Sequence, residues 1–364
     1  MIFGEWPAIQ HYEWVRAMRD CPQDPIHHAE GNVWIHTGMV LDALAADARF
    51  ALGSDEDRDV LWTAAVLHDV AKPETTEIQP DGRITAKGHS ARGALRARRI
   101  LWEMGVPFAL REEICGMILY HQTPFFLMER EDAQRLAASI SLAARCSRLA
   151  VLAEADMRGR ICQDQRRMLD NIELFASYCQ EEECWEGPRD FPSPLARYEY
   201  FRRPEREIGY AAFDGTKFDV IVMCGMPGAG KDTWIRKNAP DWAVVSLDGL
   251  REEMDVDPRE NQGAVIQAAK ERAREYLRRR EPFVWNATNL SRSLRSQVVQ
   301  LMADYHARVR LVYVEAPAEA LYQQNRSRER VVPPAVMERL LHRWEVPQVY
   351  EAHSVEYYVH EVSA

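Results

Sequence analysis

Residues 220–234, V-I-V-M-C-G-M-P-G-A-G-K-D-T-W, limit what this chain can fold into more than any other stretch. An apolar run from Val220 to Cys224 reads as a buried strand. The loop 225–230 follows, and Lys231, Asp232 and Thr233 then lead into a helix. Strand, glycine loop and lysine at a helix start, in that order, make a phosphate-binding loop. The glycines let successive backbone N–H groups turn toward one point, where the helix N-terminus adds partial positive charge. Lys231 can reach the outer phosphates of a nucleoside triphosphate. Gly225, Gly228, Ala229, Gly230, Lys231, Asp232 and Thr233 are therefore the expected nucleotide-binding residues. An ordinary glycine-rich turn is the plainer alternative, and the agreement of strand, loop, lysine and helix argues against it.

The loop lies in a half of the chain with α/β texture. Strand-like runs at 218–224, 242–246, 283–286 and 309–315 alternate with helical stretches, 258–280 and 291–306 among them. That alternation predicts a parallel sheet flanked by helices, with ligands beyond the carboxyl ends of the strands. Upstream, apolar residues recur at three- and four-residue spacing, as in 33–46, 60–70, 89–104 and 111–120, and strand-like alternation is nearly absent. Pro188, Pro192, Pro194 and Pro204 mark a connection between the two textures. The expected organisation is an all-α domain over residues 1–186, a linker over 187–214 and an α/β domain over 215–364. The length suffices for two full cores.

A net charge of −10 argues against a general nucleic-acid coat. The acidity sits upstream: residues 1–210 carry 25 Lys+Arg against 34 Asp+Glu, while 211–364 carry 21 and 22, so a nucleic-acid end could still be held by a few arginines there. No run approaches the roughly 18 apolar residues of a membrane span, and the N-terminus M-I-F-G-E-W-P lacks the features of a signal peptide. Seven cysteines without a C-x-x-C pair argue for reduced thiols rather than a disulfide framework or a thiolate zinc site. A cytoplasmic location without a membrane partner is the expectation.

Asp248 and Arg251, in S-L-D-G-L-R, follow the second strand, and their spacing puts both on one side of a short helix. A carboxylate near a γ-phosphate can take the proton of an attacking hydroxyl, and an arginine fork can clamp a phosphate of the acceptor. A helix-capping Asp beside a solvated Arg is the plainer reading. Arg326 and Arg330, four residues apart, could fold over the nucleotide or simply form a solvated face. Together the glycine loop, S-x-D-x-x-R, A-T-N after the third strand and R-x-x-x-R-V-V-P resemble the kinase domain of polynucleotide 5′-hydroxyl kinases. The resemblance implies Lys231 on the phosphates, Asp248 as general base, Arg251 on the acceptor phosphate, Arg326 and Arg330 in a lid, and ATP with Mg²⁺ as donor. Asp232 stands where the family's usual Ser or Thr would touch magnesium, and Asn286 where many relatives have Asp.

In the helical half, His36, the pair His68-Asp69, His89, His121 and Asp156 sit within or at the ends of apolar runs, where a polar side chain needs a partner. Neutral imidazole and carboxylate are the ligand set of divalent transition metals. A lone histidine of this kind is ordinarily a satisfied core residue; this many, with an adjacent His-Asp, point to metal. Their order resembles the HD-domain phosphohydrolase superfamily, and the local strings are similar to the HD domains of bacterial transfer-RNA nucleotidyltransferases. The resemblance implies one ion on His36, His68, Asp69 and Asp156, and a second on His89 and His121 with Asp69 bridging. The metal would be Mn, Co, Ni, Zn or Fe. Lys72, four residues past His68 on the same expected helix, either meets a substrate phosphate or is solvated; His11, His27 and His28 receive no role.

Over nearly the whole chain this pairing resembles the bacterial HD-Pnk family. The resemblance implies a bifunctional end-healing enzyme acting on RNA, or DNA, ends. One site would phosphorylate a 5′-hydroxyl with ATP and Mg²⁺, and the other would remove 2′-, 3′- or 2′,3′-cyclic phosphate, with an RNA ligase as functional partner. Two other classes stand beside it. One is a small-metabolite kinase joined to an HD nucleotide phosphohydrolase; the other is an ATP-gated binding module without catalysis.

Overall fold

The computed structural model describes residues 2–4, 6–256, 262–328 and 331–360. The chain forms two compact units, Met1–Asp190 and Phe191–Ala364.

The first unit is helical, as its periodicity predicts, apart from a two-rung antiparallel pair formed by β1 (Glu77–Ile78) and β2 (Ile84–Thr85). Its longer helices are Val33–Ala45, Asp55–Leu67, His89–Glu103, Phe108–Tyr120, Cys146–Arg158 and Gln165–Glu181. Local chemistry sets their ends. Ser54 and Asp57 exchange hydrogen bonds in a capping box, with Asp55, Glu56 and Asp57 in the first turn, so that helix begins at Asp55 rather than at the first apolar residue, Val60. It stops at Leu67. His68 is its C-cap, and Lys72 opens a separate short helix, Lys72–Thr75. His68 and Lys72 therefore do not share a helix as expected. The chain turns between them, with Val70 N donating to Leu67 O and Lys72 N to Asp69 O, and this turn brings Asp69 inward. Val60, Ala64, Leu67, Ile114, Ile118 and Leu149 are fully buried in one core. Each Leu or Ile so buried contributes about 1.5–3 kcal/mol.

The cysteines are less scattered than their spacing implies. The sulfurs of Cys146, Cys179 and Cys184 all lie within 4.8 Å of one another.

In the second unit, the proline-rich stretch expected to be linker carries the helix Pro194–Arg202. Pro194 occupies its first turn and the Ser193 side chain accepts from Ala196 N, so the prolines start a helix here. Tyr198 of that helix enters the same core as Val220, Trp285 and Val309, and Phe201 stacks on Tyr350.

The sheet contains β3 (Phe218–Cys224), β4 (Ala243–Ser246), β5 (Phe283–Asn286), β6 (Ala307–Glu315) and β7 (Ser354–Val359), in the order β4-β5-β3-β6-β7. All pairings are parallel, and Val220 of the central strand stands opposite both Phe283 and Val309. Val220 to Cys224 are buried throughout, as a strand covered on both faces requires. The edge strand β7 had no counterpart in the sequence reading. Its residues are mostly half-buried and show no alternation. All five carboxyl ends point to one edge, where the glycine loop emerges from β3. Among the described residues no single helix is long and apolar enough to cross a membrane.

Candidate active sites

In the first unit, the six residues singled out as metal ligands converge, and all six are buried. His68 and His121 cap the ends of two helices, His89 begins a third, and His36 and Asp156 lie within two more. His68, His89 and His121 each direct Nδ1 at the carbonyl three residues earlier, at 2.7 Å in all three cases. His36 Nδ1 lies 2.9 Å from Glu30 Oε1 and 3.4 Å from the Gly159 carbonyl. With Nδ1 so engaged as a donor, Nε2 is left as a free acceptor on each ring. These free nitrogens meet in pairs: His36 with His68 at 3.3 Å, and His89 with His121 at 3.4 Å.

Asp69 divides its carboxylate between the pairs. Oδ2 lies 3.3 Å from His68 Nε2 and 3.7 Å from His36 Nε2, whereas Oδ1 lies 3.4 Å from His89 Nε2 and 4.0 Å from His121 Nε2. Asp156 Oδ1 completes the first set, 3.1 Å from His36 Nε2. Neither oxygen of Asp69 has a hydrogen-bond partner among the described residues, although Lys72 Nζ pairs with Oδ2 by charge at 2.7 Å. Buried acceptors facing acceptors cost free energy unless a cation lies between them. The donor set thus fits two divalent ions, His36, His68, Asp156 and Asp69 Oδ2 holding one, and Asp69 Oδ1, His89 and His121 the other. Burial brings His121 down to about 3 and lowers His89 as well, so both rings are neutral, the form that ligates.

Three further residues support this centre. Glu30 Oε1 receives His28 Nδ1 at 2.7 Å as well as facing His36, and its Oε2 accepts from Ile161 N. Burial pushes the Glu30 carboxyl up, but hydrogen bonds from His28, His36 and Ile161 outweigh it and hold the group well below the usual range. Arg160 grips Asp156 with a two-point fork, at 2.9 and 2.5 Å. Lys72, half of whose sequence reading was a solvated lysine, is buried between Asp69 and Gln23 Oε1. Glu30 and Arg160 were not found from sequence: both lie outside the helical runs whose apolar context flagged the histidines.

In the second unit the glycine loop leaves β3 at Gly225, where φ is +144° and an added Cβ would stand 2.2 Å from the Val314 carbonyl oxygen. No other residue fits. Gly225 N donates to Thr288 O at 2.9 Å, and Asn289 Nδ2 donates to Met223 O at 2.7 Å, so the A-T-N segment after β5 braces the start of the loop. Arg295 in turn holds Asn289 O and the Glu345 carbonyl, and is itself buried against Glu351. Gly230, at φ +100°, precedes the helix Lys231–Asn238. Lys231 Nζ donates to the carbonyls of Gly225 and Met226, and burial, only partly countered by Asp232, lowers its pKa to about 8. The two departures noted in sequence are joined: Asn286 Nδ2 donates to Asp232 Oδ1 at 2.7 Å.

Residues 228–233 line a cavity of about 2100 Å³ together with Asp248 and Arg251. The helix carrying the last two begins at Leu247, with Ser246 as its cap, so Asp248 is not a capping residue. Asp248 and Arg251 form an ion pair, and Asp248 is largely exposed. Arg326 is exposed and lies outside the lining; Arg330 lies outside the described residues. Arg328 does line the cavity. The helix Ala318–Ser327 ends before it, and its extended backbone brings the guanidinium to the cavity wall, where Nη1 is buried without a hydrogen-bond partner among the described residues. Lys237, Arg339 and Arg343 also line the cavity; the four-residue spacing of the last two was the available signal for them.

Residues 33–155 match the HD domain family and residues 220–347 match an AAA domain family, AAA_33. A curated relative, the Multifunctional CCA protein of Halorhodospira halophila (strain DSM 244 / SL1), is 36% identical over 104 residues, 27% of this chain and 21% of that protein. The chain thus spans about a fifth of the length of the curated relative it matches. A solved structure of a candidate kinase from Chloroflexus aurantiacus J-10-fl is similar at a TM-score of 0.34 and 16% identity, over 40% of this chain and 86% of that one. The chain thus joins a segment that matches the HD domain family to a P-loop segment that matches the AAA_33 family. HD domains bind divalent metals, and P-loop kinases use ATP with magnesium.

Proposed function

We propose that this protein heals broken nucleic-acid ends, RNA first, of the kind resembling the HD-Pnk family. The P-loop unit would transfer the γ-phosphoryl group of ATP to a 5′-hydroxyl. The HD unit would remove a 2′-, 3′- or 2′,3′-cyclic phosphate. The observation that supports a polynucleotide acceptor is the cavity in the second unit. At about 2100 Å³ it exceeds the roughly 300–1,000 Å³ of an ordinary small-ligand pocket, and among the described lining residues Lys231, Lys237, Arg251, Arg328, Arg339 and Arg343 stand against Asp232, Asp248 and Glu252. A lining so weighted suits a donor triphosphate and a second polyanion together.

In this reading Lys231 leaves its loop carbonyls for the outer phosphates, Asp248 takes the proton of the attacking hydroxyl, and Arg251 releases Asp248 to hold the acceptor's phosphate. In the HD unit, Lys72 and Arg160 are the cations placed beside the ligand carboxylates to meet a substrate phosphate. Divalent ions on the six ligands would supply Lewis acidity toward a phosphoryl group and lower the pKa of water.

The test is an RNA oligomer bearing a 5′-hydroxyl and a 2′,3′-cyclic phosphate, incubated with ATP, Mg²⁺ and in turn Mn²⁺, Co²⁺, Ni²⁺ or Zn²⁺, with both ends resolved. Gain of a 5′-phosphate and loss of the 3′-end phosphate is the expected result. Unchanged ends with a free nucleoside or metabolite consumed instead would replace this reading with a small-molecule kinase joined to a nucleotide phosphohydrolase.

A further inference from the structure

Three cysteines from separate positions meet in the first unit, outside the HD centre. Cys146 opens the helix Cys146–Arg158, while Cys179 and Cys184 flank the end of Gln165–Glu181. The turn between them explains the second pair. Cys184 N donates to Cys179 O at 2.9 Å and Glu183 N to Gln180 O at 3.1 Å, the paired bonds of a Schellman helix end, which sets the side chains of Cys179 and Cys184 together. Glu183 occupies the left-handed position at φ 52°, where glycine is the usual residue. An apolar pair would serve such a turn as well as two thiols. The third sulfur comes from another helix, whose start is tied to the same turn by Ser147 N donating to Trp185 O. All three cysteines are wholly buried and none is in a disulfide.

We propose that Cys146, Cys179 and Cys184 form a third metal site, a buried three-sulfur centre for a thiophilic d¹⁰ cation of the Cu⁺ type. Among the described residues no His, Asp or Glu joins this group, whereas the HD centre is built of nitrogen and oxygen alone. Soft thiolates select such ions over Mg²⁺ or Mn²⁺. Complete burial of all three cysteines keeps substrate away from this site. The ion would staple the end of one helix to the beginning of the helix before it, and that earlier helix carries Asp156 about 15 Å further along at ~1.5 Å per residue.

The probe is Cd²⁺, a d¹⁰ ion whose bonds to thiolate absorb in the ultraviolet, titrated into the metal-stripped full chain. The HD centre contains no sulfur and cannot produce that band. The expected result is a thiolate band whose final amplitude corresponds to one sulfur-bound Cd²⁺ per chain, whatever Cd²⁺ the HD centre also takes up, retained in His68→Ala and in Cys162→Ser, and lost in Cys184→Ser and Cys146→Ala. No band in the unmodified chain, or a band that survives both triad substitutions, would overturn the proposal. If a triad variant fails to fold by circular dichroism, the titration of the unmodified chain and of Cys162→Ser decides, since an adventitious thiol would give a substoichiometric or Cys162-dependent band.

Discussion

His36 Nε2 and His68 Nε2 face one another across 3.3 Å, while each ring directs Nδ1 at an acceptor. Two ring nitrogens held so closely in a dry interior, with the Asp69 and Asp156 carboxylates beside them, suit a shared metal cation. Removing either ring, or the Asp69 carboxylate, should abolish phosphoesterase activity and lower bound metal while the ATP-dependent reaction of the other unit persists. Both activities measured on one RNA, with elemental analysis of His68→Ala and Asp69→Ala, check this. Loss of both activities in a folded variant would mean the two sites are not independent.

Glu30 touches no substrate in this arrangement and acts by orienting His36. Glu30→Ala should weaken metal binding by roughly 10–100-fold, the usual effect of losing an outer partner. Glu30→Gln, which keeps an acceptor for Nδ1–H, should restore much of it. Metal titration by calorimetry separates the two variants. Equal binding in all three proteins would remove Glu30 from the centre.

The pKa of Lys231, lowered to about 8 chiefly by burial, gives a pH signature. Between about pH 8 and the ordinary lysine value near 10.4, the unfolded chain carries a proton that the folded chain lacks. Stability of the nucleotide-free protein should therefore rise with pH across that window. Nucleotide phosphates favour the ammonium and recharge it, so ATP affinity should fall above about pH 8, by up to about tenfold per unit. Titrations in two buffers of different ionisation enthalpy should show proton uptake on binding at that pH and none in Lys231→Arg. Identical heats in both buffers for the unmodified protein would contradict the shift.

Arg328 lines the cavity and Arg326 does not. Arg328→Ala should lower the kinase kcat on the order of 10²-fold, the scale of one lost charge-stabilising donor, and Arg326→Ala should leave it nearly unchanged. Steady-state kinetics on a 5′-hydroxyl oligonucleotide distinguish them. The reverse order would assign the lid role to Arg326.

What could be read from sequence followed how local each requirement is. The glycine loop was visible because its backbone demands glycine at stated positions, and the metal ligands because polar residues at the borders of apolar helices are anomalous. One misreading arose where an element ended: Lys72 was placed on a helix that stops at Leu67. Glu30 lies in a polar loop where a carboxylate carries no signal. The triad of cysteines depends on three segments meeting, and β7 on an edge position with half-buried residues; neither leaves a period in the chain.

At Gly225 the backbone passes so close to Val314 that even a methyl group would collide with a main-chain oxygen. A side chain can give way to a newcomer, but a carbonyl fixed between two strand neighbours cannot. Position 225 is thus an isolated point in the space of substitutions: no single-codon change leads from it to another functional protein. A saturation library selected for the P-loop activity should return glycine alone there, while at Ala287, on the cavity wall beside it, several small residues should survive.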